Sequence, residues 1–193
     1  MQSLFVSHWL VGVTTLGPGR RIVLYFTGCS KHCKGCEAPS LQNKETGKAY
    51  DAVELADILN QIGKENNIHS ISITGGDPLE QDKEAFELFL KHLNFDDVLL
   101  FTGYTLDEIH DNSFESIVNT YVSVLKTGPY IEILNKGHPL MGSSNQLITY
   151  IDLSKKEEYE NYISKSKRKL QYFYSESGET LYFAGLLPKM REE

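Results

Sequence analysis

Ile22-Val-Leu-Tyr-Phe26 runs into Thr27-Gly28 and then directly into Cys29-Ser-Lys-His-Cys33-Lys-Gly-Cys36. Five apolar residues of β-branched and aromatic type, closed by a glycine, read as a buried strand. The same punctuation returns three times: His69 to Ile73 before Thr74-Gly75, Val98 to Phe101 before Thr102-Gly103, and Tyr121 to Leu125 before Thr127-Gly128. Helical patterns separate most of these runs. Asp51 caps a segment with Ala52, Leu55, Ala56, Leu59 and Ile62 on one face, and a second segment from about Glu80 carries Phe86, Phe89, Leu90 and Leu93. Thr105-Leu-Asp-Glu108 has the capping-box pattern that opens a short helix. Strands alternating with crossover helices are parallel, so all four Thr-Gly pairs are expected at the C-terminal edge of one sheet, where α/β proteins place their sites.

Working outward, Leu147 to Ile151 reads as a further strand. Ser154-Lys-Lys-Glu157 looks like a second capping box, before a helix with Tyr159, Tyr162 and Ile163 on one face. Leu170 to Tyr174 and Thr180 to Ala184, flanking Ser175-Glu-Ser-Gly178, read as an antiparallel hairpin. The expected fold is a single α/β domain over residues 1–193. It is an open, partial (βα) barrel of about five or six mostly parallel strands (core about 16–153), followed by a C-terminal helix and β-hairpin (154–193).

The chain has 193 residues, 40% hydrophobic and 23% charged, the balance of a soluble globular domain. No apolar run approaches the ~20 residues of a spanning helix, and the N-terminus lacks the pattern of a secretory signal, so no membrane association and a cytoplasmic location are expected. A net charge of -7 argues against a nucleic-acid partner. Lys165, Lys167, Arg168 and Lys169 form one basic cluster, read as the solvated end of a helix.

All three cysteines fall in the window 29–36. An odd number of closely spaced cysteines is not a disulfide framework; it signals metal ligation or redox chemistry. Three thiolates from one loop can hold three irons of a cubane and leave the fourth without a protein ligand, where a substrate can bind. The competing reading is a zinc site completed by His32, His8 or a carboxylate. A second segment, Ser72-Ile-Thr-Gly-Gly-Asp-Pro-Leu79, stands at the end of the next strand; by itself it also reads as an ordinary Gly-Asp-Pro turn.

The Cys-x3-Cys-x2-Cys spacing after a first strand, joined to Gly75-Gly76-Asp77-Pro78, resembles the radical SAM superfamily. The closer resemblance is to its glycyl-radical activating enzymes, especially the anaerobic ribonucleotide reductase activating proteins. It covers most of residues 16 to 150. The carrying segments are Gly17-Pro-Gly-Arg20, Thr27-Gly-Cys-Ser30, Cys33-Lys-Gly-Cys36, Gly75-Gly-Asp-Pro-Leu-Glu-Gln81, Phe101-Thr-Gly-Tyr104, Lys126-Thr-Gly-Pro-Tyr130 and Gly142-Ser-Ser-Asn-Gln146. The chain departs from the pattern at Glu37-Ala-Pro39, where an Asn-Pro is usual, and at Leu16, where related activases often carry Asp.

The resemblance implies a [4Fe–4S] cluster on Cys29, Cys33 and Cys36, with S-adenosylmethionine (SAM) chelating the open iron. It implies backbone contacts from Gly75 and Gly76 to the methionyl ammonium, in a cofactor site that also takes in Gly35, Thr74, Asp77, Pro78 and Lys126. Reductive cleavage of SAM would yield a 5′-deoxyadenosyl radical. That radical would abstract hydrogen from a glycine of a glycyl radical enzyme of the anaerobic ribonucleotide reductase type, with a flavodoxin or ferredoxin type protein as electron donor. On this basis Gly76→Val is expected to weaken SAM binding while iron content stays normal, and Leu16 and Glu37-Ala-Pro39 are expected where a partner's glycine loop docks. A radical SAM peptide maturase or small-molecule enzyme, and a non-catalytic zinc or iron–sulfur module, remain the alternatives. Tyr104 and Tyr130 are read as packing residues, with lining the site as the alternative, Trp9 as a core or lid anchor, and Lys126 as either a carboxylate contact or an exposed strand-end lysine.

Overall fold

The computed structural model describes residues 3–175 and 177–187. Seven strands form one sheet: β1 (Ser3–Val13), β2 (Arg21–Phe26), β3 (Lys48–Asp51), β4 (Ser70–Gly75), β5 (Asp97–Phe101), β6 (Val124–Thr127) and β7 (Leu147–Tyr150). Their order is β3-β1-β2-β4-β5-β6-β7. The central pairs β2–β4, β4–β5 and β5–β6 are parallel. The flanking strands β1, β3 and β7 pair antiparallel, so seven strands replace the five or six expected, with the parallel character confined to the middle. β3 and β7 are the two edges of an open sheet. The four Thr-Gly pairs do lie at one edge, the C-terminal ends of β2, β4, β5 and β6.

Helices α1 (Ala52–Asn66), α2 (Lys83–His92), α3 (Leu106–Asp111) and α4 (Glu115–Tyr121) carry the crossovers. Asp51 caps α1, accepting from the N–H groups of Val53 and Glu54, and Thr105 with Glu108 forms the expected capping box on α3. α2 starts at Lys83 rather than Glu80, because Asp82 caps it and Pro78–Glu80 forms its own 3-10 turn. The strand expected at Tyr121 to Leu125 begins at Val124, because Ile117 and Val118 bury the face of α4, which runs through Tyr121.

β2 reads as a continuous apolar run because both its faces are covered. Ile22, Leu24 and Phe26 join the helix-side core with Leu55, Leu59, Phe86 and Phe89, whereas Val23 and Tyr25 join a second core on the opposite face. Trp9 packs at the margin of the first core, edge-on to Tyr50. The second core is roofed by α5 (Lys156–Lys165), through buried Tyr159 and half-buried Tyr162 and Ile163. The hairpin β8 (Gln171–Tyr174) and β9 (Leu181–Ala184) completes that roof with Phe173 and Tyr182. The Ser154 capping box is not formed: Lys155 stands at the N-cap without a side-chain bond, and Asp152 caps the preceding 3-10 turn instead.

At the N-terminal edge of the sheet a buried polar network joins four segments. Arg21, fully buried, donates to Asp97 Oδ2 (2.7 Å), Ser72 Oγ (2.8 Å), the Ile71 carbonyl (2.9 Å) and the Pro18 carbonyl (3.2 Å). The Tyr159 hydroxyl donates to the same Asp97 carboxylate at 3.0 Å, and Ser72 Oγ donates to the Leu16 carbonyl at 2.7 Å. Leu16 is therefore buried at the edge opposite the Thr-Gly pairs, which corrects its expected place beside a docking partner. Gly17-Pro-Gly-Arg20 belongs to this network: a Cβ on Gly17, at φ +130°, would lie 2.9 Å from the Arg21 side chain. Among the described residues, no helix is long and apolar enough to cross a membrane.

Candidate functional site

The C-terminal edge of the sheet opens into a cleft, and Cys29, Cys33 and Cys36 all line it. The loop that carries them leaves β2 under tight backbone control. Gly28 and Cys29 N–H groups donate to the carbonyls of Leu41 (2.8 Å) and Gln42 (3.0 Å), while Gly76 and Asp77 N–H groups donate back to Phe26 (2.8 Å) and Gly28 (2.7 Å). Two carboxylates hold the loop's outer turn. Glu80 accepts from the Ser30 N–H (3.0 Å) and hydroxyl (2.5 Å), and Glu108 pairs with Lys31 at 2.6 Å, the ammonium standing 4.3 Å over the Tyr104 ring. Burial, aided by the nearby Asp77 and Glu80 carboxylates, pushes the Cys29 thiol up, against the pull of a backbone N–H at Lys31.

Thr74, Gly75, Gly76, Asp77 and Lys126 line the same cleft, facing the cysteines. Gly35 and Pro78 do not. Gly35, at φ +72°, turns the cysteine loop against Glu132, and Pro78 opens the buried 3-10 turn that Asp77 caps. Asp77 is a brace between strand ends. Its carboxylate accepts from the Leu79 N–H (3.0 Å), the Thr102 hydroxyl (2.8 Å) and the Gly103 N–H (2.7 Å). Burial raises its pKa to about 6, and those three donors hold it from rising further. Lys126 forms no ion pair within 4 Å among the described residues. Desolvation lowers its pKa to about 8, although Asp77, Cys33 and Glu37 all pull the other way.

The crowding at Gly76 alters what its substitution tests. A Cβ there would collide with the Gly28 carbonyl oxygen and stand 2.8 Å from the Leu41 oxygen, both backbone atoms of the cysteine loop's base. Those atoms cannot swing aside as a flexible side chain can. Gly76→Val is thus expected to displace the cysteine loop, costing about 1–3 kcal/mol or more as overpacking does, and to lower iron content and SAM binding together. Gly103→Ala, whose Cβ would meet side-chain atoms of Asp77 and Lys31 at 3.3 and 3.4 Å and backbone only at 3.9 Å, the Pro129 Cα, is expected to keep its iron. Iron analysis of the two variants after anaerobic reconstitution checks the contrast; full iron in Gly76→Val refutes it.

Further residues complete the cleft and its walls. Glu37 lines the cleft with its carboxyl pushed up by burial, against the opposing fields of Arg168 and Lys126. Arg168, read above as solvated, is half-buried and donates to the carbonyls of His138 (2.9 Å), Met141 (2.5 Å), Gly142 (3.1 Å) and Leu187 (3.2 Å); Lys165, Lys167 and Lys169 are the exposed remainder of that cluster. Gln146, buried, joins the Gly142 N–H (2.7 Å) to the Gly128 carbonyl (2.8 Å), which fastens the loop before β7 to the end of β6. Tyr130 lines the cleft, whereas Tyr104 packs beneath Lys31. Glu37 stands out in the sequence only as part of the Glu37-Ala-Pro39 departure, and no local cue marks Arg168, because its contacts are distant in the chain.

The donor set suits an iron–sulfur cluster. Three thiols share one cleft, and His32 and His8, the candidates for closing a zinc tetrahedron, are elsewhere. His32 is exposed and hydrogen-bonds Gln42 (3.1 Å), and His8 stacks on Tyr25 with centroids 4.5 Å apart. Among the described residues no three His, Cys, Asp or Glu side chains converge as ligands of one ion do. Ligands that each take a different iron of a cubane need not converge in that way.

Residues 15–149 match the family described as a 4Fe-4S single cluster domain, which defines the class of protein to which the fold and the cysteine loop belong. Within that class the chain belongs to the family of anaerobic ribonucleoside-triphosphate reductase-activating proteins. It is 31% identical over 135 residues to the protein of that name from Enterobacteria phage T4, covering 67% of this chain and 83% of the relative. It is 32% identical over 140 residues to the Vibrio cholerae protein (68% and 88%) and 28% identical over 142 residues to that of Escherichia coli K12 (70% and 91%).

Proposed function

We propose that the chain activates an anaerobic ribonucleotide reductase by radical SAM chemistry, in the cytoplasm, drawing its electron from a flavodoxin or ferredoxin type donor. The observation that carries this reading is the meeting of Cys29, Cys33 and Cys36 with the Gly75-Gly76 backbone in one cleft, in a chain of this family. A cluster held by the three thiolates would supply the electron that cleaves SAM to methionine and a 5′-deoxyadenosyl radical, and that radical would take a hydrogen atom from a glycine of the reductase.

The chain's own residues do the positioning. The side-chain-free Gly75-Gly76 segment lets backbone approach the methionyl end of the cofactor closely. Lys126, desolvated and, among the described residues, without a partner carboxylate within ion-pair distance, offers its charge to the carboxylate of SAM. Asp77 keeps its oxygens on Thr102, Gly103 and Leu79, so its part in the cofactor site is to hold the strand ends in register rather than to bind the ligand.

Anaerobic incubation of the protein with SAM, a reductant and the reductase of the same organism tests the reading by electron paramagnetic resonance. A glycyl doublet that requires all three additions is expected. SAM cleavage without that signal on any glycyl radical enzyme of the organism would leave a peptide maturase or small-molecule enzyme. Stoichiometric zinc without reductive SAM cleavage would leave a non-catalytic module.

A further inference from the structure

Beside the cleft lies a second concavity, walled on one side by Leu181, Tyr182 and Phe183 of β9 and on the other by the segment from Glu37 to Leu41. Residues of β8 do not line it, so the wall is the edge of β9 that faces away from its hairpin partner. Among the described residues β9 pairs with β8 alone, and no backbone hydrogen bond reaches residues 181–183 from any other segment. An unpaired strand edge is a template for one more strand.

The trough has a built floor. The His8 ring stacks on Tyr25 at 4.5 Å and meets Tyr182 at 4.6 Å. Burial lowers the pKa of His8 to about 4, so the floor is aromatic and uncharged near neutrality. Leu181 and Phe183, 51% and 46% exposed, add apolar surface along the wall. The trough also leads somewhere: Glu37 lines both it and the cleft, and Leu186, just beyond β9, lines the cleft as well.

We infer that this trough seats an extended segment of the protein substrate, added as a strand to the edge of β9, and delivers its glycine into the cleft. The inference rests on the functional reading above and names the surface by which that substrate is held. A backbone Cα–H reaches a buried reaction centre only if its segment is stripped of helix and sheet partners and drawn out. Main-chain bonds from a strand edge replace the partners it loses, and alternate side chains fall on the aromatic floor. β9 lies outside the stretch matched to the family, residues 15–149, so this contact is a feature of this chain's own C-terminal part.

The test measures glycyl-radical formation against reductase concentration. In the double variant Leu181→Glu, Phe183→Glu the apparent KM for the reductase is expected to rise about tenfold or more, as losing an edge-strand contact would require, while SAM cleavage without reductase stays unchanged. Tyr172→Glu, exposed on β8 across from Phe183, is expected to leave KM unaltered. Independently of those variants, p-benzoylphenylalanine at position 183 of the otherwise wild-type chain is expected to cross-link to reductase residues next to the radical-bearing glycine. A wild-type KM in the double variant, an equal loss in Tyr172→Glu, or cross-links only to a second copy of this chain or to remote reductase surface would each overturn the inference. Failure of the wild-type protein to form any glycyl radical refutes instead the functional reading, before a variant is made.

Discussion

Replacing any one of Cys29, Cys33 and Cys36 with alanine is expected to reduce iron uptake from about four atoms per chain, the complement of a cubane, to a small remainder and to abolish reductive cleavage of SAM. The loss in activity should exceed the ~10–100-fold that outer-shell changes cost at metal sites, because a ligand itself is removed. The fold should survive. The three side chains are partly exposed on the cleft, and the bonds that shape their loop, from the Cys29 N–H to Gln42 and the Cys36 N–H to Cys33, are backbone bonds that alanine keeps. Thermal melting of the apo-variants near that of apo-wild type, with iron and 5′-deoxyadenosine near background, is the expected pattern. His32→Ala is the comparison: its ring is outside the cleft, so iron and cleavage should be retained. Full iron in any of the three cysteine variants would remove that cysteine from the ligand set.

The largest effect on stability is expected from Asp97→Ala. Arg21 is fully buried, and among the described residues Asp97 is its only anionic partner, at 2.7 Å. Deleting the carboxylate leaves a buried guanidinium uncompensated, which costs about 3–5 kcal/mol and, for a domain of this size, roughly 10 °C in Tm. Tyr159→Phe, which removes only a hydroxyl donor to the same carboxylate, should cost about 1 kcal/mol. Breaking the exposed pair Lys34–Glu132, 3.8 Å apart, should cost almost nothing, since exposed pairs contribute ~0–1 kcal/mol. Calorimetric or denaturant unfolding of the three variants ranks them directly. An Asp97→Ala protein as stable as Lys34→Ala would show that the network carries no net stability.

The parallel heart of the sheet was legible because β2 and β5 are covered on both faces and so read as unbroken apolar runs. β1 was not legible. Its eleven residues bury Leu4, Val6, Leu10 and Val13, but register shifts between Val6 and His8 and between Val11 and Val13 break the two-residue period on which recognition of a strand depends. β3 is a mostly exposed edge with no apolar stripe, and its Lys-Ala-Tyr-Asp sequence carries no strand signal. The antiparallel sense of β7 follows from a connection over residues 128–146 that holds one 3-10 turn and no crossover helix.

The Thr-Gly pairs and the cysteine loop could be placed at one edge from the alternating pattern, because a parallel sheet carries its strand ends there, whereas Gly76, Asp77 and Lys126 are tied to a cofactor only by the family resemblance. At Gly76 the sequence marks the residue type, but not the crowding of a Cβ against the chain's own Gly28 and Leu41 carbonyls, which comes from segments distant in the chain. Glu37 and Arg168 are brought together by the docking of the C-terminal part, which no local pattern encodes.

The buried network at the foot of the sheet bears on how the molecule is made. Arg21 and Asp97 are translated long before Tyr159, which supplies both the hydroxyl to Asp97 and an aromatic face under the Arg21 guanidinium, 5.9 Å from its ring centre. Until the ribosome has released α5, one side of the sheet has no roof over Val23, Leu99 and Val124, and Asp97 lacks its tyrosine. A nascent chain halted before that helix would expose an apolar sheet face, the kind of surface on which chaperones act and aggregates seed. Among the described residues, the cover of this sheet face thus comes largely from beyond the family match, so shielding of that face is a late event in synthesis.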